Sequence, residues 1–348
     1  MLPTKKRFCG LLFIMNLKEL SKKLQLSIST VSRALNDSPE ISQATKLKVQ
    51  KKAAELNYIP NPFASNLRNQ QSKTIAIIVP EIANNFFSAA INGAEFYAQE
   101  RGYHVLIYQT NEDALKEKFI AKHLLNGRVD GILISISSST VDEKHLKELK
   151  NKNIPLVFFD RAAIKTIAPK VTSNDFDSAF AGTEHLINCG IKSIAFLSIS
   201  NSLAIANNRI DGYTAALKKH HLKLDNKLII NCNADSANNK LYIKKLLSKK
   251  NKPQAIFACV EELAILTYEV CEMLQLKIPT DVKVISYSNL KTAAILNPAL
   301  TTITQPAYNI GREAAQLLFN IIDKKEIAPS QENIELNSVL IIRESTKN

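Results

Sequence analysis

The stretch that most restricts the fold is Thr74-Ile-Ala-Ile-Ile-Val79, in which five apolar residues follow one another without alternation. A strand with no polar face is buried on both sides, as inside a parallel sheet covered by helices. A helical stretch follows over Phe86–Glu100, then a second short apolar run at Val105–Tyr108. Further runs stand at Gly131–Ile134, Pro155–Phe159, Ser193–Leu197, Leu228–Ile230, Ala255–Phe257 and Val282–Ile285, with helical stretches between nearly all of them. Strand and helix in alternation predict α/β architecture with parallel sheets.

Upstream of Lys73 the pattern is different. Leu17, Leu20 and Leu24 recur at helical spacing, Gln25-Leu26-Ser27 breaks the period, and Ser27 is placed to cap a second helix. In that helix Val31, Ala34 and Leu35 point one way, leaving Ser29, Thr30, Ser32, Arg33 and Asn36 on the other faces. Short hydroxyls, an amide and one guanidinium suit a helix that meets phosphates and base edges in a DNA groove. Asp37-Ser38-Pro39 ends the pair. Ser42 caps a third helix with Val49, Ala53 and Leu56 inward and Lys46, Lys48, Lys51 and Lys52 on its surface.

Charge follows the same division. The chain carries a net +13, and residues 1–73 hold 13 Lys and Arg against 4 Asp and Glu. A basic module attached to a nearly neutral one is the footprint of nucleic-acid binding. Five widely spaced cysteines without a Cys-x-x-Cys pair predict neither a disulfide framework nor a zinc site, and fit a reducing cytoplasm. Phosphate-cradling glycine loops, nucleophile elbows and paired-histidine metal motifs are missing, so neither an enzyme, a metal site nor a cofactor is expected. No apolar run approaches the roughly 20 residues that would cross a membrane. Residues 1–14 do not conform to the rest; since the helix pair starts directly after Met15, we expect translation to begin there.

Leu-Lys-Glu-Leu-Ser and Leu-Ser-Ile-Ser-Thr-Val-Ser-Arg-Ala-Leu-Asn36 resemble the helix-turn-helix of the LacI/GalR family of bacterial transcription regulators. Glu55–Asn69 resembles the linker and hinge helix of that family, with Pro62 suited to a first helical turn. The resemblance continues in order through Leu156–Arg161, Gly182–Ile187, Arg209–Tyr213, Ile278–Val282, Leu300–Pro306 and Val339–Thr346. It implies an all-α helix-turn-helix headpiece with a hinge helix, followed by an α/β periplasmic-binding-protein-like module of two doubly wound parallel-sheet subdomains. The expected boundaries are 15–59 for the headpiece, 60–72 for the hinge and 73–348 for the effector-binding and dimerisation domain. Within the last, subdomain one takes about 73–173 and 303–330, and subdomain two about 174–302 and 331–348.

Carried over by position, the resemblance assigns Ile28, Ser29 and Arg33 to base edges in the major groove. Thr30, Ser32, Asn36 and Tyr58 fall at phosphate contacts, Asn61 near the hinge, and Leu67 at the residue that wedges into the minor groove. The implied effector residues are Arg209, whose planar fork suits a polyhydroxylated or anionic ligand, Asp160, and Phe86 and Phe87, either of which could equally be core. Four departures stand out. Gln25 occupies a turn position where glycine is usual, so a differently shaped turn is expected. Val260-Glu261 replaces an Asn-Asp, and Ser288 an Asp, in the ligand region; Leu203 and Ile205 fall where polar contacts are common. From these we expect a ligand with an anionic group, or one placed differently from a neutral hexose. The implied protein is a cytoplasmic homodimeric repressor of pseudo-palindromic operator DNA, controlled by a sugar or sugar derivative. The alternative is a periplasmic-type sugar-binding protein without DNA binding, which would not need residues 16–69.

Overall fold

The computed structural model describes residues 15–58, 72–126, 128–200, 203–232, 235–326, 328 and 331–347, in two compact units that divide at Gln70 and Gln71. The described part of the first unit is a bundle of α1 (Leu17–Leu24), α2 (Ile28–Leu35) and α3 (Gln43–Glu55). Asn16 opens α1 with a reciprocal cap: its Oδ1 accepts from the Glu19 N–H at 2.9 Å, while Glu19 Oε2 accepts from the Asn16 N–H at 3.2 Å. Leu20, Leu24, Val31, Ala34, Val49 and Ala53 form the core, with Leu35, Leu56 and Tyr58 packed against it. The Ser27 hydroxyl accepts from the Thr30 N–H at 3.0 Å, and the Ser42 hydroxyl from the Thr45 N–H.

Two details depart from expectation. Gln25 keeps the left-handed turn, at φ 56° and ψ 39°. Its N–H donates to Lys22 O and the Leu26 N–H to Ser21 O, the double bond pattern that closes a helix C-terminus. Closing those carbonyls offsets the cost of placing a side chain where glycine is easier. Lys46 is buried rather than on the surface, with its ammonium 2.7 Å from Asp37 Oδ1 and donating to Asp37 O, which holds that left-handed turn between α2 and α3.

The second unit has two lobes. Lobe one contains β1 (Thr74–Val79), α4 (Asn85–Glu100), β2 (His104–Gln109), α5 (Ala114–Leu124), β3 (Gly131–Ile134), α6 (Lys144–Asn151), β4 (Leu156–Phe159) and β5 (Lys170–Ser173). The chain crosses into lobe two with α7 (Asp175–Asn188), followed by β6 (Ile194–Ser198), α8 (Ala204–Lys219), β7 (Ile229–Asn231), α9 (Ser236–Leu247), β8 (Ala255–Ala258), α10 (Glu261–Met273), β9 (Lys283–Tyr287) and β10 (Thr301–Thr304). It returns with α11 (Ala307–Ile322) and β11 (Asn333–Leu336), then crosses a third time into β12 (Val339–Ile341). Strand order is β11-β5-β4-β3-β1-β2 in one sheet and β12-β10-β9-β8-β6-β7 in the other. The pairings are parallel except β10 with β12.

Most of the apolar runs became inner strands, as expected, but Val105–Tyr108 and Leu228–Ile230 fall at the sheet edges in β2 and β7, where they are half-buried or exposed. Three strands lie outside that pattern. Lys-Val-Thr-Ser173 and Asn-Ile-Glu-Leu336 alternate because they pair with each other at the end of a sheet, and Thr-Thr-Ile-Thr304 is buried but mostly hydroxylated. Its Thr301 Oγ1 bonds Thr346 Oγ1 and accepts from the Arg343 N–H. The two later crossings therefore fall between Thr304 and Ala307 and between Leu336 and Val339, not at 302/303 and 330/331.

Lobe one is held by the close approach of α4 and α11. A Cβ on Gly311 would lie 1.9 Å from Ala90 O, and one on Gly93 2.0 Å from Tyr308 O. Backbone meets backbone there, so either methyl must push the helices apart. We expect Gly311→Ala to destabilise the large unit by about 1–3 kcal/mol, measured by urea unfolding. Unchanged stability would show that the helices can separate without cost.

Candidate functional site

On the first unit, Ile28, Ser29, Arg33 and Asn36 are exposed along α2, while Thr30 and Ser32 are half-buried. An isoleucine 42% exposed at the first position of a helix has no packing role within the unit, so it is free to meet an apolar partner such as a base methyl. Ser27 Oγ lies 2.8 Å from both Ser29 Oγ and Thr30 Oγ1, pre-setting these hydroxyls. Arg33 Nη1 pairs with Glu40 Oε2 at 2.5 Å, both side chains more than half exposed. The pair is open to exchange, since exposed ion pairs contribute little. Tyr58 is half-buried against the core, and that burial raises its phenol pKa. Asn61 and Leu67 lie outside the described residues.

In the large unit Phe86, Phe87, Asp160, Arg209, Glu261 and Ser288 all line one narrow, solvent-open cleft between the lobes. The wall is built from strand ends: Asp160 and Arg161 follow β4, Ile199 follows β6, and Cys259, Val260 and Glu261 follow β8. Tyr287 closes β9, Ser288 and Asn289 come after it, and Gln305 follows β10. Crevices at the carboxyl ends of parallel strands are where open α/β sheets bind ligands.

Arg209, only 4% exposed, is the centre of the lobe-two wall. Its Nε donates to Asp175 Oδ1 at 2.8 Å, its Nη1 to Cys259 O at 2.6 Å, and its guanidinium lies 3.6 Å from the centre of the Tyr287 ring. Burial pushes the Asp175 carboxyl up to about 6 against the opposing pull of Arg209, and nearby Asp160 adds to the rise. Burial also raises Asp160 against Arg161 and Arg209. For Arg209 burial acts downward, yet Asp175, Tyr287 and Asp160 together raise it above its ordinary range. In lobe one, Arg161 Nη1 donates to Glu112 Oε1 at 2.7 Å and its guanidinium lies 5.6 Å from the centre of the Phe87 ring. Burial alone would raise Glu112, but Arg161 and the Ser138 N–H hold it below its ordinary range.

Contacts cross the cleft. The Asn85 amide Nδ2 of lobe one donates to Glu261 Oε1 at 2.8 Å, and Ser288 Oγ donates to Glu261 Oε2 at 2.9 Å. Gln305, at the second crossing, donates to Ser173 Oγ at 2.8 Å and to Asp160 Oδ1 at 3.4 Å. Leu203 and Ile205 are buried and, with Ala206, join the apolar core that α5 and α6 form in lobe one.

A sequence profile of the periplasmic binding proteins and sugar binding domain of the LacI family matches residues 72–344, and one of the bacterial regulatory proteins, lacI family, matches residues 16–61. The chain belongs to the LacI family. This LacI-family chain is 31% identical over 331 residues to the HTH-type transcriptional repressor PurR of Vibrio vulnificus, covering 95% of this chain and 98% of that one. It is 30% identical over 331 residues to the repressor CytR of Escherichia coli K12, covering 95% and 96%. The crystal structure of the lac repressor dimer bound to operator and an anti-inducer superposes with a TM-score of 0.82 at 23% identity, over 95% of this chain and 99% of that one, a likeness of fold.

Several features of this LacI-family cleft were not legible as residues to single out. Asp175 could have been sought, because a buried arginine needs a buried carboxylate. Arg161 and Gln305 sit inside stretches that carry the family resemblance, but nothing in their spacing marks them. The expected preference for an anion does not fit this wall. Arg209 is engaged by Asp175, Cys259 O and Tyr287, and Arg161 by Glu112. The carboxylate displaced from position 288 is supplied by Glu261, which Ser288 bonds. Removing one partner of a buried ion pair costs about 3–5 kcal/mol. Asp175→Asn should therefore lower the melting temperature of the large unit by roughly 6–15 °C, by calorimetry; an unshifted transition would show that Arg209 does not depend on this carboxylate.

Proposed function

We propose that this chain is a cytoplasmic transcriptional repressor. As a homodimer it places two α2 helices in successive major grooves of a pseudo-palindromic operator, and a sugar-like molecule in the lobe cleft sets its affinity. The observation that carries the reading is the pairing, in one LacI-family chain, of a helix exposing Ile28, Ser29, Arg33 and Asn36 with a two-lobed cleft rich in hydrogen-bonding groups. The relatives named above are repressors by title, which supports the direction of control. Among the described residues no helix is long and apolar enough to cross a membrane.

In this reading Ile28, Ser29 and Arg33 meet base edges, and Thr30, Ser32, Asn36 and Tyr58 meet phosphates. Asn61 and Leu67 act in the hinge, with Leu67 entering the minor groove. Arg33 exchanges Glu40 for a guanine edge, which its two-pronged donor geometry fits. The cleft works as a switch: two lobe arrangements differ in affinity for the ligand, and a ligand shifts DNA binding only by that difference. The acidic and basic groups of the inner wall are paired with one another, which fits binding better than catalysis.

Two experiments test the reading. Removal of residues 1–72 should abolish operator binding in a gel shift with selected palindromic DNA; retention of tight, sequence-dependent binding by the remainder would contradict it. Arg33→Ala should cost about 1–3 kcal/mol on the preferred operator and relax preference at one base pair. A loss equal on every sequence would assign Arg33 to phosphate contact instead.

A further inference from the structure

The outer part of the cleft has an unbalanced charge. Glu81, Glu112, Glu261 and Glu262 line it with one cation, Arg161. That cation is already bound to Glu112 at 2.7 Å, so Glu81, Glu261 and Glu262 are left without an ion-pair partner among the described residues. Their mutual proximity is felt: burial, followed by Glu262, Glu112 and Glu261, raises the Glu81 carboxyl above its ordinary range. Deeper in, Arg209 is engaged through Nε on Asp175, through Nη1 on the Cys259 carbonyl and on the Tyr287 ring, so its charge is already balanced. Among the described residues no three acidic, histidine or cysteine side chains are grouped to hold a metal ion.

Glu261 stands where the inner and outer parts join. It is the first residue of α10, where the helix dipole favours a negative charge. Both its oxygens presently accept from neutral donors, the Asn85 amide across the cleft and the Ser288 hydroxyl beside it. An ammonium supplies three donors and, unlike the amide and hydroxyl now bound there, a full positive charge to balance the carboxylate. Around it Ser288, Asn289, Asn84 and Gln305 offer hydroxyl- and amide-type partners, and Phe86, Phe87 and Ile199 offer apolar walls. Hydroxyls on an apolar ring suit that set.

We propose that the effector is a polyhydroxylated ring carrying a protonated amine, and that Glu261 receives the ammonium in place of the Asn85 amide. The inference rests on the reading of the cleft as the effector site and adds the charge of the ligand. It also couples recognition to the lobes, because the ligand takes over a bond that spans them.

Calorimetric titration of the full-length protein with matched neutral, aminated and phosphorylated members of the same scaffolds (glucose, glucosamine and glucose 6-phosphate; the galactose and ribose sets likewise) tests it. At least one aminated member should bind tenfold or more tightly than its neutral counterpart. Glu261→Gln should reduce that ratio to within about twofold, while Glu269→Gln, a surface carboxylate paired with Lys240 on the outside of α10, should leave it unchanged. Tighter binding of a neutral or phosphorylated member, or a ratio insensitive to Glu261→Gln, overturns the inference and leaves the effector reading standing. If no member binds, the inference is overturned. A parallel gel shift with the low-molecular-weight fraction of cells then decides the broader reading, which falls if nothing in it moves operator affinity.

Discussion

A guanidinium cannot leave water alone; removing it from solvent costs several kcal/mol even after the protein relaxes, and only close, complete pairing repays that. Arg209 is the place where this constraint shapes the large unit. Its side chain, on α8, is reached by Asp175 at the start of α7, by the carbonyl at the end of β8 and by the ring at the end of β9. Asp175 follows directly on the first crossing between the lobes, so the partner of the buried charge is also the residue that opens lobe two. Tyr287 extends the network, donating from its hydroxyl to Asp175 O at 2.9 Å and lying 2.8 Å from Ser178 Oγ. The wall of the cleft is thus rigid on this side before any ligand arrives, which favours binding by reducing what must be ordered.

The other side of the cleft is held by contacts that can be exchanged. The Asn85–Glu261 bond crosses between lobes and is partly exposed, and Gln305 sits at a crossing with one short and one long bond. Leu203 and Ile205 add an apolar contact between the lobes. A fixed wall facing a replaceable latch is the arrangement a two-state switch needs, because a ligand has to find a difference between the states in order to shift them. The same logic applies to Arg33, whose exposed pair with Glu40 gives it a resting partner without binding it tightly.

The inner strands and the three-helix unit were legible because each carries a single clear period: Thr74–Val79 has no polar face, and Leu17, Leu20 and Leu24 repeat every turn. What escaped was structure stabilised by pairing rather than by burial of apolar side chains. Lys170–Ser173 pairs with β4 on one side and Asn333–Leu336 on the other, and Thr301–Thr304 is buried with Arg343 and Thr346 meeting its hydroxyls. Lys46 reads as one more surface lysine, yet it is buried with its ammonium paired to the exposed Asp37. The residues around the cleft were partly legible through resemblance, whereas their charge balance was not. That balance depends on which carboxylate each arginine already holds, and neither Asp175 nor Glu112 stands near its partner in sequence.

The central claim is that the arrangement of the lobes governs the grip on DNA. Operator affinity of Asn85→Ala, measured by fluorescence anisotropy without any effector, tests it most directly. The substitution removes a hydrogen bond to a charged group that spans the cleft, about 1.5–3 kcal/mol of bias between lobe arrangements, without touching the DNA-reading unit. The account predicts a severalfold or larger change in operator affinity. An affinity equal to that of the unaltered protein, with the fold intact, would contradict it.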